Sequence, residues 1–257
     1  MPLDIERLRS SPKLLPMQDA IVIIPTFNEI ENIEAIVRAV FSQQKAFDIL
    51  VVDDNSPDGT GEKVKFLQRE FSDRLFLLER KNKTGLGTAY IAGFKWCLEK
   101  HYEYIFEMDA DFSHDPMDLI KLYEACHTEG ADVSIGSRYV DGVNVVNWPM
   151  SRVLMSYGAS KYVRFITAMP ICDTTAGFVC YRRHVLEIID LSKIKFVGYA
   201  FQIEMKFKAY LKKFKIVEVP VIFTDRRKGK SKMSGSIISE AIFGVLSMKF
   251  NSLVGKR

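Results

Sequence analysis

Apolar residues along this chain fall into two alternating kinds of block. Short unbroken runs (Ala20-Ile21-Val22-Ile23-Ile24, Ile49-Leu50-Val51-Val52, Leu75 to Leu78, Tyr104 into Met108, and Ala131 to Ile135) have the length and composition of strands buried on both faces. Between them the apolar positions return at helical spacing. Ile33, Ile36, Val37, Val40 and Phe41 make one face of a helix predicted from Glu29 to about Gln43, with Asn28 as its N-cap, and Pro25 is expected to stop the first strand. Further helices are predicted from the turn at Asn55–Thr60 to about Phe71, from about Gly85 to Lys100, and from Pro116 to Glu129. Repeated strand–helix alternation predicts an α/β fold, a Rossmann-like and mostly parallel sheet with helices on both faces.

After Gly136 the pattern loosens. A loop over 138–150 is followed by an amphipathic helix over 151–168 containing Met155, Tyr162, Phe165 and Ile166, and by a short strand from Gly177 to Tyr181. Next come a helix from about Tyr199 to Lys213, a strand from Val217 to Phe223, a basic loop and a last helix from Ile237 to Phe250. Residues 1–18 are polar, carry Pro2, Pro12 and Pro16, and read as a flexible arm; residues 19–257 are expected to form a single domain, with a nucleotide half at 19–136 and an acceptor half at 137–257. No run reaches the roughly 18 apolar residues a transmembrane segment requires. The closest, Ile237 to Phe250, is broken by Glu240 and Lys249, and its stripe of Ile238, Ala241, Ile242, Val245 and Met248 fits a packed core helix better than a membrane-surface one.

Charge adds an asymmetry that the pattern does not show. From Met205 onward thirteen Lys or Arg face three acidic residues, which leaves the preceding 204 residues net negative within a total of +4. Such an end is either a solvated face or a surface for phosphate, anionic lipid or nucleic acid. Cys97, Cys126, Cys172 and Cys180 form no CxxC pair and no secretory signal precedes them, so reduced thiols in a cytoplasmic protein are expected. His101, His114, His127 and His184 show no metal spacing and are expected mostly at the surface or on helices.

Two strands end in carboxylates, at Asp53-Asp54 and at Asp109-Ala110-Asp111. Both pairs should lie at one rim, where open α/β sheets bind ligands. Carboxylates one residue apart suit a hard divalent cation that keeps positions open for phosphate oxygens. An isolated Asp-x-Asp serves equally well as turn chemistry; its place after a buried strand favours metal. Asp53 and Asp54 suit the ribose or base of a nucleotide, and an Asx-turn or cap built from Asp54, Asn55 and Asp58 is the alternative. Neither a GxGxxG after the first strand nor a P-loop is present, which argues against dehydrogenases and NTPases.

Six blocks occur in one order: Pro25-Thr26-Phe27-Asn28-Glu29, Asp53-Asp54-Asn55-Ser56-Pro57-Asp58-Gly59-Thr60, Lys83-Thr84-Gly85-Leu86-Gly87, Asp109-Ala110-Asp111, Gly136-Ser137-Arg138-Tyr139 and Arg226-Arg227-Lys228-Gly229-Lys230-Ser231-Lys232. The series resembles the polyprenyl-phosphate sugar synthases of glycosyltransferase family 2, the dolichol-phosphate mannose synthases in particular, over roughly residues 20 to 235. The resemblance implies a GT-A fold, GDP-mannose as donor, a divalent metal (Mg2+ or Mn2+), a polyprenyl phosphate lipid as acceptor, and peripheral attachment to the cytoplasmic face of a membrane. It places Pro25, Phe27, Glu29, Asp54 and Lys83 around the nucleotide, and Asp109 and Asp111 on metal and diphosphate. Phe27 stands where family members often have Tyr, and Ser113 where some relatives place Gln as a further metal ligand.

By the same resemblance Arg138, Arg152 and Ser156 meet the acceptor phosphate. Arg152 and Ser156 are four apart, hence on one helical face. Taken alone they are an exposed arginine and a helix serine. Arg226 and Lys232 belong to a cationic loop that closes over the donor diphosphate in the family reading and is merely solvated in the plain one. The implied reaction is an inverting displacement by an already ionised phosphate, which needs no general base. Its charge is stabilised by Asp109 and Asp111 through the metal and by Arg138, Arg152, Arg226 and Lys232. A UDP-linked glucose or aminosugar donor, or a non-catalytic nucleotide-sugar binding protein, fits the same motifs. A nucleic-acid binder fits poorly, since interleaved aromatic stacking positions are not evident.

Overall fold

A computed structural model describes residues 18–225 and 235–254 of the chain, with side chains at all of these except 199 and 235–242. Arg226, Lys232 and the basic loop around them lie outside the described residues, as do residues 1–17 of the expected arm. The elements run β1 (Ala20–Thr26), α1 (Ile33–Phe41), β2 (Asp48–Asp53), α2 (Thr60–Leu67), β3 (Leu75–Glu79), α3 (Leu86–Leu98), β4 (Tyr104–Glu107), α4 (Asp118–His127) and β5 (Val133–Ser137). There follow β6 (Val145–Val146), α5 (Met150–Thr167), β7 (Val179–Arg182), α6 (Arg183–Ile188), α7 (Tyr199–Leu211), β8 (Ile216–Pro220), β9 (Phe223–Thr224) and α8 (Gly235–Val254).

Seven strands form the main sheet in the order β3-β2-β1-β4-β7-β5-β8. Neighbours are parallel except β7, which runs antiparallel to both β4 and β5. Alternate residues of each buried strand feed opposite layers. Ile21, Ile23, Leu50 and Val52 join the core under α3, α6, α7 and α8, while Val22, Ile24, Ile49 and Val51 join the core under α1, α2 and α4. Among the described residues no helix is long and apolar enough to cross a membrane.

Three departures from the sequence expectation have clear causes. Pro25 does not stop β1, which continues to Thr26. Ile23 O accepts from Met108 on the β4 side and Thr26 O accepts from Asp54 on the β2 side, so Pro25 shares the β4 side at a level where β4 has already ended. Its missing N–H therefore costs no ladder bond. Second, α1 begins four residues later than expected and Asn28 is not its cap. The N–H groups of Asn28, Glu29 and Ile30 donate to Ser56 Oγ, Thr60 Oγ1 and Asp58 Oδ2, and Asn28 sits at φ 58°. Side chains of the next loop have taken the amides a helix would need. Third, the strand expected over Val217–Phe223 breaks after Pro220, because the chain leaves β5 and pairs its Phe223–Thr224 with Val145–Val146 in a separate two-stranded sheet.

Candidate active site

The carboxyl ends of β1, β2, β4 and β5 open on one rim, and antiparallel β7 begins there, so the loop before it also arrives at that rim. On the β1–β2 side, the loop after β1 is stitched to the turn before α2 by the three bonds described above. Asp53 is used up in the same stitching: it accepts from Thr26 Oγ1 (2.8 Å), Ser56 Oγ (2.6 Å) and Ser56 N–H (2.9 Å). Asp54 is buried and faces Arg80, Oδ1 to Nη1 3.1 Å. Burial pushes its carboxyl above the usual range against the pull of Arg80. Arg80 in turn donates to Thr88 Oγ1 (2.7 Å) and to Thr84 Oγ1. The ammonium of exposed Lys83 lies 4.1 Å from the ring centre of Phe27, so two residues assigned to the nucleotide touch each other across the loops. Glu29 accepts from Asn32 Nδ2 (2.9 Å), and Pro25 lies half-buried at the end of β1. Gly85, at φ 112°, brings the start of α3 so close to Val197 that a Cβ there would lie 2.9 Å from its carbonyl.

At the end of β4 the chain turns sharply through Phe112, at φ 60°. Asp111 is 8% exposed and its Oδ1 accepts the Ser113 N–H at 3.0 Å. Ser113 Oγ is buried without a hydrogen-bond partner among the described residues, so its lone pairs are open to a further ligand. His114 departs from the surface or helical placement expected of the histidines. It is buried, stacks on Phe178 with ring centres 4.8 Å apart, and its Nδ1 accepts the Asp109 N–H at 3.3 Å. Burial pushes its pKa down to about 4 against the opposing charge of Asp111, so it is neutral and props the Asp109 backbone. Among the described residues no three His, Cys, Asp or Glu are grouped so that they alone could hold a metal ion. Asp109, Asp111 and Ser113 make an all-oxygen set with few protein ligands, which fits a hard divalent ion that completes its shell with phosphate oxygens and water.

Across the rim, β5 delivers Arg138, which is buried. It gives three hydrogen bonds to Asp173: N–H to Oδ2 3.0 Å, Nε to Oδ2 2.6 Å and Nη2 to Oδ1 2.6 Å, with a further bond to Thr175 Oγ1 at 2.9 Å. Burial alone would raise the Asp173 carboxyl, but Arg138 outweighs it and holds the group below the usual carboxylate range. Arg152, in the first turn of α5, lies 3.9 Å above the Trp148 ring and donates to Asp225 Oδ1 at 2.8 Å. Ser156 is one turn further along the helix and half-buried. Phe223 packs edge-on against Trp148, and Thr224 N–H donates to Ser113 O (3.3 Å), so the segment ahead of the basic loop touches both the acidic and the cationic side of the rim.

Sequence reasoning missed the groups beneath. Asp173 carries no local signature of its distant partner, thirty-five residues away. Glu218 on β8 accepts from Ser137 Oγ, Cys172 N–H and Asp173 N–H at 2.6–2.8 Å, fixing that loop. Glu107, Gln202 and Lys206 are buried polar residues inside apolar stretches. Burial drives the Glu107 carboxyl up and the Lys206 ammonium down, and each moderates the other.

A mostly parallel sheet with helices on both faces and a carboxylate pair just beyond a strand end at its rim is the architecture of a GT-A glycosyltransferase. The chain matches the model of Glycosyl transferase family 2 over residues 21–189 and belongs to that family. It is 50% identical over 230 residues to a polyprenol monophosphomannose synthase from Mycolicibacterium smegmatis, covering 90% of this chain and 86% of the relative. It is 45% identical over 225 residues to an undecaprenyl-phosphate mannosyltransferase from Micrococcus luteus, covering 88% and 91%. Solved structures share the fold at lower identity. Glucosyl-3-phosphoglycerate synthase from Mycobacterium tuberculosis, in complex with Mn2+, UDP-glucose and phosphoglyceric acid, superposes with TM-score 0.67 at 16% identity over 91% of this chain and 80% of its own. A mannosyltransferase from Pyrobaculum calidifontis, in complex with GDP-Man and Mn2+, gives TM-score 0.58 at 16% identity over 93% and 75%.

Proposed function

We propose that this glycosyltransferase moves mannose from GDP-mannose to a polyprenyl phosphate, with inversion at the anomeric carbon. The observation that carries the reading is an acidic strand end at the same rim as the buried, Asp173-clamped Arg138, in a chain half identical, over nine-tenths of its length, to a polyprenol monophosphomannose synthase. Phe27 and Lys83 suit a base and its phosphates, and Asp54, paired with Arg80, suits the N–H edge of a base. Asp109, Asp111 and Ser113 would hold Mg2+ or Mn2+, which when bound supplies positive charge to the departing diphosphate. Arg152 and Ser156, one helical turn apart, orient the acceptor phosphate, and Arg138 backs them with a geometry set by Asp173. The phosphate is its own nucleophile, and His114, neutral and committed to the Asp109 backbone, is not required to take a proton. Arg226 and Lys232 complete the proposal as cations over the diphosphate.

The lipid acceptor calls for a membrane surface. Phe165 of α5 is 85% exposed and Phe250 of α8 is 66% exposed, with Met150, Leu154, Phe243 and Leu253 likewise open, beside Lys161 and Lys249. Apolar residues next to cations suit peripheral attachment to an anionic leaflet, here assigned to the cytoplasmic one. The deciding assay is mannose transfer from GDP-mannose to a short polyprenyl phosphate, with and without chelator, beside Asp111→Asn. Asparagine can still accept the Ser113 N–H, so the fold should persist while transfer falls on the order of 10²-fold or more. Preference for UDP-glucose, or chelator-insensitive transfer, would overturn the assignment.

A further inference from the structure

The two sides of the rim are joined from below by a buried polar chain with no part in the chemistry just described. Lys206 of α7 is fully buried, and its Nζ donates to Ala176 O (2.6 Å), Gln202 O (3.3 Å) and Gln202 Oε1 (3.2 Å). Gln202 Nε2 donates onward to Glu107 Oε2 at 2.7 Å. Glu107 closes β4, two residues before Asp109; Ala176 closes the turn that begins at Asp173, the residue holding Arg138. A continuous run of hydrogen bonds therefore leads from the Arg138 clamp to the strand end that carries Asp109 and Asp111.

Stability alone gives little reason for this arrangement. An ammonium and a carboxylate removed from water are costly, and apolar residues of like volume commonly serve a core as well or better. The chain is not even fully satisfied, since Glu107 Oε1 has no hydrogen-bond partner among the described residues. Nor is it needed to pair β4 with β7, whose backbones already register Glu107 against Val179. What the chain adds is a fixed distance across β7 between a strand end and a loop.

We infer that Glu107, Gln202 and Lys206 are positioning residues, a buried strut that sets the separation between the Asp109–Asp111 strand end and the Arg138 clamp. The kinetic part of this inference rests on the proposed transfer reaction, in which attacking phosphate and leaving diphosphate must lie in line. Displacements near 1 Å in such geometry cost on the order of 10²-fold in rate.

Two measurements test it. Gln202→Leu removes the middle of the strut while leaving Lys206 its bond to Ala176; Glu107→Gln combined with Lys206→Met removes both buried charges together, so no unpaired ion remains to unfold the protein. Hydrogen exchange on the protein without substrate should quicken several-fold in both 108–114 and 172–178 in each variant, whereas Val185→Ala, a core truncation in α6, should leave both stretches unchanged. In the transfer assay kcat should fall roughly 10- to 100-fold, with KM for donor and lipid within about threefold of the parent. Faster exchange confined to one stretch, unchanged kcat in a folded variant, or a loss lying wholly in KM would overturn the strut. If the parent transfers no mannose, the proposed reaction fails, and the exchange result still decides the inference.

Discussion

Arg138 enters the rim with its charge already answered. Its partner Asp173 is fully buried and held below the usual carboxylate range by Arg138 against the opposing effect of burial. A carboxyl whose folded pKa is depressed contributes its stability in full above its unfolded pKa, about 3.9, and loses it as pH falls through the lower folded value. Denaturant melts of the parent should therefore show an acid limb below about pH 4. Asp173→Asn should flatten that limb and cost on the order of 3–5 kcal/mol at neutral pH, because a buried guanidinium loses its counter-charge. An acid limb of unchanged depth in that variant would assign it to other carboxylates. Arg138 itself was legible as a candidate from its motif; its pairing was not, because nothing near residue 138 distinguishes a clamped arginine from an exposed one.

Among the elements, α5 and α8 carry more exposed apolar surface than their packing accounts for. Val245 and Met248 of α8 are buried as the stripe in the last helix predicted, while the side chains of Ile238, Ala241 and Ile242 lie outside the described residues. The opposite side presents Phe243, Leu246 and Phe250 to solvent. Periodicity identified the buried stripe because burial selects for apolar residues at 3.6-residue spacing. It was silent on the second stripe, which nothing among the described residues covers. Phe165→Ser with Phe250→Ser should weaken sedimentation with anionic vesicles by at least tenfold, since each buried Phe contributes about 1.5–3 kcal/mol. The melting temperature should stay the same, because both side chains are exposed in the fold. Equal vesicle binding by parent and variant would place the membrane contact elsewhere.

At the scale of the whole molecule, the donor site we propose is split among β1, β2, α3 and β4, so ligand binding should be read as global stabilisation. GDP and Mn2+ together, at about 100 times the dissociation constant, should add roughly 2.7 kcal/mol and raise the melting temperature by several degrees. Either alone should do less, and a chelator should remove the gain; additive effects of the two would argue against a shared site at Asp109 and Asp111. The sequence by itself determined the order of strands and helices up to β5, the two acidic strand ends and the glycine-bearing loop before α3. Each of these is set within a few residues, by side-chain period, turn chemistry or a backbone position only glycine can occupy. Only the tertiary structure decided that β7 runs antiparallel between β4 and β5, that Asp53 builds the loop while Asp54 faces Arg80, and that Asp173, Gln202 and Lys206 lie beneath the rim. Those are partnerships between residues tens of positions apart, made by chain topology. Burial of a charge in such a place is visible only once its partner is in position beside it.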